Sequence, residues 1–255
     1  MPEDSQGRQE YPADLEIIDL HAYYGDSHVL QGCSLSIGKA HTSQLASNGQ
    51  ECVAVLGRNG MGKTTLLRAI LGLTPPRHGK VLWKGKDIAG QKPFLIASMG
   101  IGYVPQGRKL WPSLSVDEHL KLTFHKKRAG NGWTPGRVYE FFPELAGRRK
   151  LSGARLSGGE QQMLAIGRAL VTNPDIILLD EPSEGLSPVA IERVIEICRE
   201  LLKEKISILL IEQNIHVAAA LAERIYILLS GKTVYESEAG QFLDNLEIRQ
   251  KYLGV

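Results

Sequence analysis

Cysteine is scarce in this 255-residue chain, with Cys33, Cys52 and Cys198 far apart and odd in number. No CxxC pair occurs, which speaks against a zinc ribbon or a disulfide framework and fits a reduced, intracellular setting. The seven histidines show no ligand-like spacing. Basic excess is missing too: a net charge of +2 argues against a dedicated nucleic-acid binder. No apolar run approaches the ~20 residues needed to cross a bilayer. The opening MPEDSQGRQEYPAD lacks the basic start and apolar stretch of a signal peptide. The expectation is a soluble chain, able to sit on a membrane through another protein. There is no NKxD motif, the usual base-reading element of GTPases. Near the C-terminus the apolar run ISILLI (206–211) breaks into Glu212-Gln213-Asn214, a polar edge without a histidine.

What is present is ordinary in bulk, 43% hydrophobic and 23% charged, and enough for one sizeable core. Residues 1–13 read as a flexible tail, and 14–255 as a single domain. LEIIDLHAYYG and HVLQGCSLSI read as strands joined at Gly25-Asp26. Residues 39–50 are polar with an Asn48-Gly49 turn signal, and a surface loop is expected there. ECVAVLG (51–57) is a short apolar strand. KTTLLRAILGL (63–73) has helical spacing. KVLWKGKDI and IGYVPQ (101–106) add strands. Ser115 and Ser157 cap two amphipathic helices, over 115–128 and 157–173, with a loop at 129–137 between them. DIILLDE (175–181) and ISILLIEQ (206–213) are buried strands around a helix at 188–204 that begins on a proline. The final GQFLDNLEIRQKYLGV reads as a packing helix. Continuous apolar strands alternating with helices imply an α/β fold, a parallel sheet covered on both faces. The helix-rich stretch from about 112 to 173 is expected to be a subdomain inserted into that sheet.

The strongest local signal is Gly57-Arg-Asn-Gly-Met-Gly62-Lys63-Thr64 between a strand and a helix. Glycines at 57, 60 and 62 let backbone N–H groups surround phosphates, and the helix start favours negative charge. Asn59 and Thr65 flank the cradle. Lys63 supplies a full charge for the β- and γ-phosphates, and the Thr64 hydroxyl is a ligand for Mg²⁺. Tyr24 stacks on adenine or is an ordinary half-buried strand tyrosine; the pattern leaves both open. IILLD180-E181 places two carboxylates where a buried strand ends. Asp180 can hold Mg²⁺ through its water shell, and Glu181 can polarise an attacking water. In a parallel sheet the C-terminal strand ends share one edge, so Lys63 and Asp180 can meet across 117 positions of sequence. Shortly before that strand lies LSGGEQQ (156–162), where Ser157 caps a helix and Gly158-Gly159 expose backbone donors.

Together these motifs resemble the ATP-binding subunits of ABC transporters from about Leu15 to Val255. They stand in the family's order: aromatic loop YYG, Walker A GRNGMGKT, Q-loop YVPQG, signature LSGGEQQ, Walker B IILLDE, D-loop SEGLS (183–187) and a switch in LLIEQN. The resemblance implies a P-loop NTPase core with an N-terminal antiparallel β subdomain and an inserted α-helical subdomain. It implies ATP and Mg²⁺ as ligands, with Gln106 touching Mg²⁺ and sensing membrane permease subunits. It implies a second ATPase subunit facing this one head to tail, whose Ser157-Gly158-Gly159 seals each ATP. A solute-binding protein would be an indirect partner, no nucleic acid is involved, and the expected location is cytoplasmic, peripheral on the inner face of the cell membrane. More narrowly, GYVPQGRKLWPSLSVDEHL and EQQMLAIGRALVTNPDIILLDEPSEGLSP look like ATPases of branched-chain amino-acid uptake, whose relatives serve amides or urea.

Three departures stand out. Ser187 replaces the usual D-loop aspartate, which weakens coupling through that residue. Glu160 replaces a commoner glutamine. Residues 39–50 look like an insertion, expected to be a surface hairpin. The switch position aligns with Gln213, where the wider family has histidine and the branched-chain group often has glutamine. A neutral amide can donate to the γ-phosphate or the water but cannot carry a proton, at a cost of about 1 kcal/mol. His216 is the sensor instead if the register is off by three, or Gln213 is inert and the chain only binds ATP. Two rival classes are a nucleotide-gated scaffold, disfavoured by intact Lys63, Asp180 and Glu181, and chromosome ATPases. The latter carry far longer insertions than the roughly 90 residues between Walker A and the signature here.

Overall fold

The computed structural model describes residues 14–38, 50–124 and 132–254. The expected tail (1–13), nearly all of the 39–50 segment, residues 125–128 and part of the 129–137 loop lie outside the described residues; the helix expected over 115–128 itself ends sooner, at Thr123, where Phe124 turns extended.

Two sheets form. The first is antiparallel, ordered β2-β1-β4-β5, from Leu15–Tyr24 (β1), Ser27–Ile37 (β2), His78–Trp83 (β4) and Lys86–Asp87 (β5). The second runs β10-β9-β3-β8-β7-β6, from Cys52–Leu56 (β3), Ile101–Val104 (β6), Ile176–Asp180 (β7), Ser207–Glu212 (β8), Arg224–Leu229 (β9) and Lys232–Glu238 (β10). Strands β9, β3, β8, β7 and β6 are parallel, and β10 closes the edge antiparallel to β9. Strands β3, β7 and β8 are buried at every position, which is why they read as unbroken apolar runs. Side-chain alternation divides β3 between two cores. Val53 and Val55 join Leu66, Leu67, Val81 and Trp83 between the two sheets. Cys52, Ala54 and Leu56 face Leu164, Ile197 and Leu210 on the other side.

Helix α1 (Lys63–Ile70) follows β3 directly, and α2 (Pro93–Ser98), with proline in its first turn, precedes β6. The 116–170 stretch holds α3 (Val116–Thr123), α4 (Pro135–Phe141), α5 (Pro143–Ala146), a short 3₁₀ turn and α6 (Gly158–Leu170). Val116, Leu120, Val138, Phe142 and Leu164 pack together, continuous with the core of the second sheet. Ser115 forms a capping box with Glu118, worth about 1 kcal/mol over an uncapped start. The later helices are α7 (Pro188–Lys203), α8 (Ile215–Leu221), α9 (Ala239–Asp244) and α10 (Leu246–Leu253). The expected C-terminal helix is thus two, broken at Asn245, whose side chain caps the second.

A buried polar network ties the sheets together. Arg224 is 7% exposed and Glu51 6%. The Arg224 guanidinium donates twice to Glu51 (2.6 and 3.0 Å), and also to Glu236, the Tyr226 hydroxyl and the Ser36 carbonyl. Glu51 accepts in addition from the Gly38 N–H, so it pins both flanks of the 39–49 segment. Burial and the Glu51 charge push the neighbouring Glu223 carboxyl up to about 7.

The β9–β10 turn is the other long-range tie. Gly231 has φ +76, and a Cβ there would lie 1.9 Å from the Val29 carbonyl. Gly231 donates to the Met61 carbonyl and accepts from the Gln31 N–H, while the Ser230 N–H lies 3.3 Å from the Met61 sulfur.

Candidate nucleotide site

Strand β3 ends on Leu56 and the chain turns through Gly57–Gly62 into α1. A Cβ at Gly57 would come 2.6 Å from the Leu228 carbonyl, so glycine there also lets β9 approach. Gly60 (φ +80) and Gly62 (φ +100) take the left-handed conformations that close the loop. A Cβ at Gly60 would meet open space, leaving the concave face clear. The Lys63 ammonium, 4% exposed, turns back into this loop and donates to the Gly57 (2.7 Å) and Arg58 (3.1 Å) carbonyls.

The end of β7 meets the loop, as parallel pairing through β8 requires. Glu181 lies 3.1 Å from Lys63 Nζ, both buried. Glu181 holds φ +48, a left-handed backbone uncommon for glutamate, and its N–H is tied to the Ile211 carbonyl. Thr64 donates its hydroxyl to Asp180 at 3.2 Å, and Tyr103 donates to the other carboxylate oxygen at 3.2 Å. Burial pushes the Asp180 carboxyl above its usual range, against the pull of those two hydroxyls. The same burial and the adjacent Asp180 charge push the Tyr103 phenol well up.

Two amides converge on Glu181. Gln106 Nε2 donates to Glu181 (3.3 Å) and to Glu184 (3.1 Å). Gln213 Nε2 donates to Glu181 (2.8 Å) and to the Asn59 side chain (2.7 Å). His216 points elsewhere: it is exposed and pairs with Glu192 at 3.0 Å. Gln213, not His216, is therefore the residue that lies between Glu181 and the glycine loop.

Tyr24 stands at the rim, 46% exposed, its hydroxyl accepting from Thr74. Ser157, Gly158 and Gly159 form the start of α6 and lie against the 183–190 segment, with Leu186 beside Gly158 and Ala190 beside Gly159. Glu160 completes a capping box with Ser157 and ion-pairs with Arg148, which a glutamine could not do. Ser187 is the N-cap of α7. Both departures from the usual pattern thus carry local structural work.

Sequence reading overlooked Tyr103 and Glu184. Tyr103 stands near the C-terminal end of β6, at the edge where the acidic strand also ends, but nothing in the sequence marks a hydroxyl for Asp180. It also overlooked Glu212, which is 2% exposed although it stands in a polar triplet.

The sequence profile of the ABC transporter family matches residues 40–184, more than half of the chain. This chain belongs to the ABC transporter family. Among relatives of this ABC ATPase, the high-affinity branched-chain amino acid transport ATP-binding protein BraG of Pseudomonas aeruginosa is 36% identical over 241 residues, covering 94% of this chain and 99% of that protein. The probable branched-chain amino acid transport ATP-binding protein LivF of Archaeoglobus fulgidus is 32% identical, with the same coverage. A solved dimeric ATP-binding cassette in a post-hydrolysis state, bound to ADP and Pi, is 26% identical; the match covers 88% of this ABC ATPase and 98% of that chain, at a TM-score of 0.72. The chain is accordingly an ATP-binding and ATP-hydrolysing subunit. Among the described residues no helix is long and apolar enough to cross a membrane.

Proposed function

We propose that this ABC ATPase powers a membrane importer of branched-chain amino acids. The observation carrying the reading is the convergence of Lys63, Thr64, Asp180, Glu181 and Gln213 at one sheet edge. The names of BraG and LivF supply the solute class. Gly57–Gly62 and Lys63 hold the phosphates, Asn59 and Thr65 border them, and Tyr24 stacks on adenine. The donor set fits a hard divalent cation: the Thr64 hydroxyl and Asp180 carboxylate are adjacent oxygens, and Gln106 turns its nitrogen toward carboxylates, leaving its carbonyl oxygen as the donor. Mg²⁺ bound there neutralises phosphate charge and polarises the scissile bond. Glu181 orients the attacking water and accepts its proton, and Gln213 donates to the terminal phosphate or to the water. A second subunit presents its Ser157-Gly158-Gly159 to this nucleotide. Residues about 112–173 form the helical subdomain that, with Gln106, meets the permease on the inner face of the membrane.

The test is reconstitution of the complete complex in vesicles. Leucine with its binding protein is expected to stimulate ATP hydrolysis by this subunit and to accumulate with it, whereas urea and acetamide are not. Stimulation by an amide alone, or solute movement outward, overturns the assignment.

A neutral switch residue has a second expected outcome. No group with an ordinary pKa near 6.5 sits where Gln213 does. Turnover of the assembled complex from pH 6 to 8 should vary less than about twofold, and Gln213→His should introduce a slope. A steep single-proton rise in the wild type contradicts this placing of Gln213.

A further inference from the structure

Glu212 ends β8, pairs in register with the apolar Leu56 of β3, and is 2% exposed. A carboxylate buried this far persists only where donors converge on it. Its two oxygens serve two different loops. Oε1 accepts from the Ser183 N–H at 3.1 Å, in the loop leaving the acidic strand. Oε2 accepts from the Gln213 and Asn214 N–H groups at 3.1 and 3.2 Å. Burial raises this carboxyl above its usual range, and the bonds from Ser183, Asn214 and Gln213 pull it the other way.

These contacts close a ring. Gln213 donates its side chain to Glu181, and its backbone is held by Glu212, which also holds Ser183. The next residue, Glu184, accepts from Gln106, which donates in turn to Glu181. We propose that Glu212 is a positioning residue for ATP hydrolysis: it clips the 183–187 loop to the turn carrying Gln213, so that both approach Glu181 as one unit. The proposal rests on the reading of Glu181 and Gln213 as hydrolytic groups. A strand end needs no such fork; an apolar residue would complete β8, but only a two-headed acceptor reaches both loops.

Glu212→Gln presents an oxygen to one loop and N–H donors to the other, so one loop is released. In the assembled complex this variant should bind ATP with an affinity within about twofold of wild type, because the Lys63 loop is untouched, while kcat falls at least tenfold. Gln213→Ala should lower kcat about tenfold in the wild type but less than twofold in the Glu212→Gln background, since both act through the same group. A purely structural role gives multiplicative losses, and an unchanged kcat in Glu212→Gln also overturns the proposal. Native-state hydrogen exchange supplies a readout without any variant. The Ser183 and Gln213 amides should open together, and independent opening removes the clip. If the wild type itself hydrolyses no ATP, the hydrolytic reading fails while the exchange result still reports on the fork.

Discussion

Glu181→Gln should reduce ATP turnover by a factor of 10² or more while leaving ATP binding nearly intact. The magnitude is that of losing a positioned general base. The substitution keeps shape and size, so the left-handed backbone at 181 and its tie to Ile211 are undisturbed. It also keeps an oxygen for the amides of Gln106 and Gln213. Lys63 loses one partner but retains the Gly57 and Arg58 carbonyls, so the phosphate loop stays formed. With binding preserved and cleavage blocked, two subunits closed on ATP–Mg²⁺ cannot reopen by hydrolysis. A dimer should therefore persist on light scattering with ATP–Mg²⁺ and dissociate when Mg²⁺ is chelated. Turnover above a tenth of wild type in this variant would move the base to another residue.

The largest stability effect is expected at Arg224. Removing one member of a buried ion pair leaves an uncompensated charge, a loss of about 3–5 kcal/mol. For a chain of this size that corresponds to a fall in Tm of roughly 6–10 °C. Among the described residues, Arg224→Ala leaves Glu51, 6% exposed, with only the Gly38 N–H and no cation. Replacing both partners, as in Arg224→Met with Glu51→Leu, removes the stranded charge and should recover more than half of the loss by differential scanning calorimetry. A double variant less stable than Arg224→Ala would show that the backbone ties to Ser36 and Gly38, not the charges, hold the sheets together.

The central elements were legible because their chemistry is local. The unbroken apolar runs of β3, β7 and β8 announce a buried parallel sheet, and Ser115 and Ser157 announce caps. The glycine loop before Lys63 defines its own function. The last third was less legible. Helix α8 and strands β9 and β10 carry no motif; β9, RIYILL, is a buried apolar run that the reading passed over, while β10 is mostly half-exposed and shows no clear alternation. Glu212 was readable as polar but not as buried, because its donors are backbone N–H groups, one of them, Ser183, in a loop 29 positions away. Gln213 could be placed against His216 only once Asn59 and Glu181 were seen on either side of it.

The hairpin turn at 230–231 bears on how the chain comes to hold a nucleotide. Met61, at the tip of the phosphate loop, is bound through its carbonyl to Gly231, a residue made 170 positions later. The N-terminal part of the chain is made first, so this tie on the Met61 carbonyl can form only after Gly231 has been added.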